Sequence, residues 1–570
     1  MPEESKIGTE LSLSLSIPEE TRKNSLDLNE GFYTEYNEWE LIIRYFGPIE
    51  DISKDIPFSY IELLLGYAVI RIAEENIEKL SENPQIIFIE KPKAVYFENS
   101  LNSQDNIPGN LAGYNAACFN FINTNYNTLK GNGVLVAVID SGVDFMHPLF
   151  VKDGKTNIYE IWDQSIDGNP PFDLKIGSVY DSEDINNAIA ENNRSIAYDG
   201  TGHGTAVLSI IKRLVPDAKL LVVKLSEDYT QSFSRTTRVM LGITYAIKKS
   251  IELRLPVVIN LSYGNNYGDH DSGSMLEWYI DDTAGISKTS IITGMGNEGS
   301  TSRHTEFNIS DKTWHQEEFL VSRFEKAINI QIWRKFADKM DIMLITPDGA
   351  ILGPFNQNLN TMKFTINNMD IFVINGYPTP FSRNQETYIS IIPKGDYIQE
   401  GIWKLMFNPK NIVEGRVNIW LPVSASTSSE LRFLKPSEFT TMTIPSSSKK
   451  AISVGAYDQN NLNYAAFSGR GYTTGGDIKP DISAPGVDIN VASPDGGYVN
   501  VTGTSFSTPF VSAAAAILME YGITNGNDTF LYGEKLKEYL INGAKKLPGS
   551  DSIPNEKIGW GVLCVSDSLP

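Results

Sequence analysis

Cysteine is nearly absent from the chain: Cys118 and Cys564 are the only two in 570 residues. Two such residues offer neither metal-ligand spacing nor a disulfide framework, so stability is expected to come from the packed core. Histidine is scarce too, with five residues (His147, His203, His270, His304 and His315) and no His-x-x-x-His pair. Basic residues are outnumbered by acidic ones, 48 to 70, for a formal charge of −22. That balance argues against nucleic acid or an anionic membrane as partner, because phosphate recognition needs clustered Lys and Arg. No apolar run reaches the roughly 20 residues of a membrane-spanning helix. The acidic start, Met1 to Gly8, lacks the apolar centre of a signal peptide. The expectation is a protein made soluble in the cytoplasm, with no transmembrane segment.

What is present suffices for several cores. A hydrophobic content of 41% and an aromatic content of 11% over this length predict two to four packed domains. Residues 1–38 read as a polar extension in which the Leu-Ser alternation from Leu11 to Ser16 is either an edge strand or a tail. From Trp39 the patterns predict strands at 40–46, 60–65, 67–72 and 86–90, with a charged helix over 74–81: a small α+β unit, 39–95. A polar linker and arm follow, 96–129. Gly133 to Asp140 then forms a continuous apolar run ending in a carboxylate, as in a buried parallel strand. Further strands at 219–225, 257–261 and 290–293 alternate with helical patterns, which predicts an α/β sheet carrying its chemistry at the strands' carboxyl ends. Over 300–440 the pattern changes to short runs of period two, an all-β insertion of sandwich or jelly-roll type. The α/β pattern resumes over 441–570.

The candidate residues stand at the joints of this pattern. Asp140 ends a strand in Ala137-Val-Ile-Asp-Ser-Gly-Val143. Glycines flank His203 in Asp199-Gly-Thr-Gly-His-Gly-Thr205, which keeps the ring accessible at the start of a helix. Asn297 lies in the turn Thr293-Gly-Met-Gly-Asn-Glu-Gly299. Ser505 precedes an Ala-rich helix in Val501-Thr-Gly-Thr-Ser-Phe-Ser-Thr-Pro509, where open N–H groups favour nearby negative charge. Pro509 is expected in the first helical turn, where a missing N–H costs nothing. Each piece taken singly reads as a cap or a turn.

Together, in the order Asp, His, Asn, Ser, the four motifs resemble the subtilisin-like serine peptidases over about 130–298 and 440–565. The resemblance implies a subtilisin-like parallel sheet flanked by helices, with an N-terminal α+β prodomain (39–95) and a jelly-roll insertion. It makes Ser505 the nucleophile, His203 its general base and Asp140 the carboxylate that orients the ring. Asn297 and the Ser505 amide would form the oxyanion hole. Ser262, Tyr263 and Gly264 would pair with substrate, facing Gly294 and Gly296 across the primary (P1) pocket. Glu298 beside the oxyanion turn suggests tolerance of basic or polar P1 groups. No cofactor is expected. The fold allows a structural calcium ion, but no Asp-x-Asp-x-Asp loop indicates one.

The layout further resembles the clostridial Csp germination proteases and their gut-bacterial relatives. That resemblance implies a precursor that cuts itself in the linker, in the region of Val95, Tyr96, Asn99 and Gln104, with the prodomain staying docked. It also implies limited proteolysis of a zymogen such as a spore cortex hydrolase, and spore-associated or non-classical release. The expected partners are a protein or peptide substrate and the chain's own prodomain. A second reading keeps the same geometry but has the prodomain block the cleft permanently, leaving a scaffold that binds a partner through the jelly roll.

Overall fold

The apolar runs that alternate with helical patterns form one parallel sheet, and its strand order creates the site. The computed structural model describes residues 6–97, 112–119, 128–226, 234–355, 361–550 and 552–570. Contacts divide the chain into two units. One holds 1–94, 265–278 and 300–441; the other holds 95–264, 279–299 and 442–570.

In the second unit the sheet contains β1 (Leu135–Asp140), β2 (Ile158–Asp163), β3 (Lys219–Lys224), β4 (Val257–Leu261), β5 (Thr289–Gly294) and β6 (Ile452–Asp458). Their spatial order is β2-β3-β1-β4-β5-β6, with every neighbouring pair parallel. All residues of β1, β4 and β5 are buried, as strands covered on both faces must be. The chain leaves β1, skips a place to β2, and returns through β3 to β4 on the other side of β1. This reversal opens a crevice at the carboxyl end of β1, where ligands of such sheets bind.

Helices α1 (His203–Leu214), α2 (Thr236–Leu253) and α3 (Thr504–Met519) pack on the sheet. Every residue of α3 is buried, and its alanines 513–516 let it lie close against β4, β5 and β6. The helical segment Thr504–Thr524 is long and apolar enough to cross a membrane, but 89% of its apolar window is buried inside the fold.

The position of Pro509 corrects the sequence reading. It lies inside α3, beyond the first turn. A residue there would donate its N–H to the Ser505 carbonyl four positions back, and proline has none to give. The Ser262 hydroxyl takes that place, donating to Ser505 O at 3.1 Å.

The cysteines require a second correction. Cys118 and Cys564 form a disulfide, Cα–Cα 4.9 Å, across a sequence separation of 446. The fold, not a spacing motif, brings them together, and nothing local signals the pairing. Replacing both with serine is expected to lower the stability of this unit by about 2–4 kcal/mol, since the crosslink restricts the unfolded chain. Thermal melts of both forms check this; coincident melting temperatures would contradict it.

The first unit begins with a difference from expectation. The Leu-Ser alternation is a helix, Thr9–Ser16. Leu11 and Leu13 are buried, while the Ser14 hydroxyl donates to the carbonyls of Glu10 and Leu28 at 2.8 and 2.9 Å. The serines thus bond locally and need no partner strand. An antiparallel sheet follows, built from Glu38–Tyr45, Phe58–Glu62, Tyr67–Ala73 and Ile86–Glu90. Helix Ile77–Glu82 lies where the charged pattern placed one, and helix Ile49–Asp55 is an addition to that pattern. Residues 304–433 form two antiparallel sheets, of six and five strands, that share one apolar core. The N-terminal segment and this insertion also share a cluster: Leu13, Ile17 and Leu28 pack with Phe372, Ile374, Tyr388 and Ile392.

Candidate active site

Strand β1 delivers Asp140 to the crevice fully buried. Its Oδ1 accepts from the Ser141 N–H at 2.8 Å and meets His203 Nδ1 at 2.7 Å. The glycine after His203 is required by this approach. A β-carbon on Gly204 would collide with the Gly142 carbonyl and lie 3.2 Å from Asp140 Oδ1. Asp199 fastens the turn before α1. Its Oδ1 accepts from the Ser141 hydroxyl and Gly202 N–H at 2.8 Å each, and its Oδ2 accepts from the Thr205 N–H and hydroxyl at 2.8 and 2.7 Å.

Burial disfavours the charged form of His203. The Asp140 carboxylate outweighs that through its charge and its hydrogen bond, with a smaller contribution from Asp199, and the pKa rises above the ordinary histidine value. The far nitrogen, Nε2, is buried without a hydrogen-bond partner.

Ser505 occupies the second position of α3, one residue before Phe506. The ring of the adjacent Phe506 is 5.5 Å from the His203 ring. The Ser505 hydroxyl donates to Ser262 O at 3.1 Å, so it is not bonded to His203 in this state. Such bonds commonly tighten only when substrate is bound. A chain of side chains sets the backbone here: Ser512 Oγ donates to Asn260 Oδ1 at 2.9 Å, Asn260 Nδ2 to Ser262 Oγ at 2.9 Å, and Ser262 Oγ to Ser505 O. Asn260 opens the turn expected to pair with substrate, but its bond to Ser512 carries no sequence signal. Their link crosses from β4 to α3, and no local pattern encodes it.

Asn297 is anchored by its oxygen, which accepts from the Thr504 N–H at 3.0 Å and hydroxyl at 3.2 Å. That fixes the amide with its nitrogen toward Gly503, where an added β-carbon would sit 3.2 Å away. The structure therefore places Asp140, His203, Asn297 and Ser505 around one crevice. Glu298, by contrast, is buried in the turn Glu298–Ser300.

Strands β4 and β5 pair up to Leu261 and Thr293, where Ser262-Tyr263-Gly264 and Gly294-Met295-Gly296, the two expected walls, follow. The first wall is already paired. Tyr96 N–H donates to Gly264 O at 3.1 Å and Gly264 N–H to Tyr96 O at 3.2 Å, an antiparallel bridge. The Phe97 ring lies 5.3 Å from the His203 ring and 6.2 Å from that of Tyr263. Val95 is buried beside Tyr96, whereas Asn99 and Gln104 lie outside the described residues. Among the described residues no group of three or more His, Cys, Asp or Glu is arranged to hold a metal ion.

Residues 5–93 match the family model described as Csp protease B prodomain, and residues 131–396 and 409–561 match that of the subtilase family. The solved CspB protease of Clostridium perfringens is similar in structure, with a TM-score of 0.74 and 33% identity, covering 80% of this chain and 96% of that one. Among curated proteins, a PIII-type proteinase of Lactococcus lactis is 22% identical over 77% of this chain and 24% of its own length. The serine protease AprX of Bacillus subtilis is 34% identical over 23% of this chain and 32% of its own. The chain thus spans about a quarter to a third of the length of these curated relatives.

Proposed function

The chain belongs to the subtilase family, and on that premise we propose that it is a serine endopeptidase made as a precursor that cuts its own linker. Ser505 is the nucleophile and His203 takes its proton and passes it to the leaving amine. Asp140 holds the imidazole in the productive tautomer and stabilises its charged form. The Asn297 amide and the Ser505 N–H receive the oxyanion of the tetrahedral intermediate.

The bridge between Tyr96 and Gly264 carries this reading. A substrate strand adds to an enzyme edge in this way, through main-chain hydrogen bonds. The pairing is antiparallel, with Tyr96 opposite Gly264 and the Phe97 ring 6.2 Å from that of Tyr263. Ser262 is the residue whose carbonyl holds the Ser505 hydroxyl. The bond assigned to the cut lies two residues beyond Tyr96 in sequence, Glu98–Asn99, outside the described residues.

N-terminal sequencing of the purified protein tests this. The expected new terminus is Asn99, and a terminus elsewhere would overturn the register. Tyr96→Pro, which removes the donor to Gly264, is expected to slow the cut at least about ten-fold on the strength of a lost hydrogen bond and strained pairing.

One observation favours a second reading. His203 is fully buried and Ser505 is 3% exposed, with Phe97 against the imidazole. A segment that never leaves would make the chain an occluded scaffold. Labelling by a fluorophosphonate that disappears in Ser505→Ala supports the accessible enzyme, whereas processed protein that resists labelling supports the scaffold. Kinship with the clostridial protease extends the proposal to limited proteolysis of a zymogen. The disulfide supports residence outside the reducing cytosol.

A further inference from the structure

Where the N-terminal segment meets the insertion, within the first unit, a small cavity is lined by more carboxyl groups than ammonium groups. Glu10 reaches it from helix Thr9–Ser16, and Glu90, Lys91 and Lys93 from the end of strand Ile86–Glu90 and the residues after it. Glu386 faces it from the insertion and Ser274 from the loop before the next helix. Glu10, Lys91 and Glu386 are buried. Lys93 Nζ meets Glu10 Oε1 at 3.5 Å and donates to Tyr267 O at 3.2 Å. Lys91 Nζ donates to the carbonyls of Asp27 and Pro92, and the Ser274 hydroxyl is committed to Glu277 Oε2 at 2.7 Å. Glu386 is 5% exposed, and its Oε1 has no hydrogen-bond partner; nor has the buried hydroxyl of Tyr388, two residues along the same strand.

Lys93 is the cation that Glu10, Glu90 and Glu386 share. One ammonium does not balance three carboxylates, and a buried charge left unpaired neutralises instead. Burial, and after it the Glu10 charge, pushes Glu386 up from the ordinary 4.5 to about 8, against Lys93 and a hydrogen bond from Thr9. Burial likewise raises Glu90, against Lys93, and Asp27, against the Tyr267 hydroxyl and Lys91. Lys91 works in the opposite sense, its value lowered by burial against Glu10, Glu30 and Asp27. Glu386 belongs to the insertion, whereas Glu10, Glu90 and Lys93 belong to the N-terminal segment. Their crowding therefore exists only while the two are joined.

We propose that the N-terminal segment docks on the insertion with a proton taken up by Glu386, so that rising pH releases the fragment once it is cut. The release rests on the self-cleavage proposed above; the proton uptake does not, because the same side chains meet in the uncut chain. An acid whose value is higher docked than free stabilises docking fully below its free value. That contribution is lost as pH rises, here between 4.5 and about 8. Above that window the docked state must hold Glu386 ionised beside Glu10 and Glu90. The apolar cluster of Leu13, Ile17 and Leu28 on Phe372, Ile374, Tyr388 and Ile392 supplies attraction that no proton controls.

The test takes the full processed protein, held on a surface by a C-terminal tag, and reads by mass spectrometry how much N-terminal fragment remains after dilution. The dissociation constant is expected to rise about ten-fold or more from pH 6 to pH 8, the scale of one proton taken up per docking event. Glu386→Gln, which keeps the shape of the neutral acid, should hold the fragment at pH 8 about as tightly as the wild type does at pH 6. Equal retention by the wild type at both pH values would overturn the proposal, as would the same loss in Glu386→Gln. A second measurement needs no cut. In the intact Ser505→Ala chain, hydrogen exchange over Thr9–Ser16, corrected for its intrinsic pH dependence, should quicken about ten-fold across the same range. Adding Glu386→Gln should abolish that change, and a rate already constant without it would overturn the proposal. Intact mass showing no fragment in the wild type would instead overturn self-cleavage alone, and hydrogen exchange would then decide the proton uptake.

Discussion

Replacing Ser505 with alanine is expected to leave the protein as one uncut polypeptide, with peptide hydrolysis reduced about 10⁶-fold, the scale seen when a Ser–His–Asp triad loses its nucleophile. The fold should survive. Ser505 bonds through its carbonyl to Ser262 Oγ, and alanine retains that carbonyl. The hydroxyl contributes one bond, to Ser262 O, whose loss costs about 1 kcal/mol. The variant therefore separates chemistry from stability. Intact mass should report the full chain, against fragments ending at Glu98 and starting at Asn99 in the wild type. A variant that still divides at that bond would show that another protease makes the cut, and Ser505 would lose its assignment in processing.

Replacing Asp140 with asparagine should cost about 10⁴-fold in turnover and move the acidic limb of the pH profile. His203 acts as a base only when neutral. Burial lowers its pKa, but the Asp140 charge and hydrogen bond more than reverse this, so the folded value lies above that of an ordinary histidine. Activity of the wild type should accordingly fall as pH drops through that raised value, earlier than an unperturbed histidine would dictate. Asparagine removes the charge and leaves burial dominant, so the limb should move to lower pH even as the maximum collapses. The kcat/KM profiles of both proteins decide the matter. A limb that stays in place would mean that a group other than His203 controls it.

The four catalytic candidates were legible because each is written into a short backbone device. Asp140 ends a buried strand, glycines open the way to His203, Asn297 occupies a glycine turn, and Ser505 starts a helix of small residues. The parallel sheet was legible from apolar runs spaced by helical patterns, and the period-two runs after Ser300 became the strands of the insertion. What escaped is encoded only by three-dimensional proximity. Helix Thr9–Ser16 reads as alternation until Ser14 is seen bonding to Glu10 and Leu28. The cysteines meet across almost the whole chain. Pro509 was misplaced because the helix begins earlier than proline statistics suggest. The missing N–H proved to be what leaves the Ser505 carbonyl available to Ser262.

Severing the chain at Glu98–Asn99 would alter the mass-action problem without dissolving the packing of Leu13, Ile17 and Leu28 on Phe372, Ile374, Tyr388 and Ile392. The insertion that supplies the second set belongs covalently to the mature chain, so the released fragment would rebind a platform carried by its own enzyme. Its occupancy then follows protein concentration and the affinity of that apolar patch, in addition to whatever the cleft contributes. Dilution, rather than further proteolysis, becomes the variable that sets how many molecules lack their N-terminal fragment.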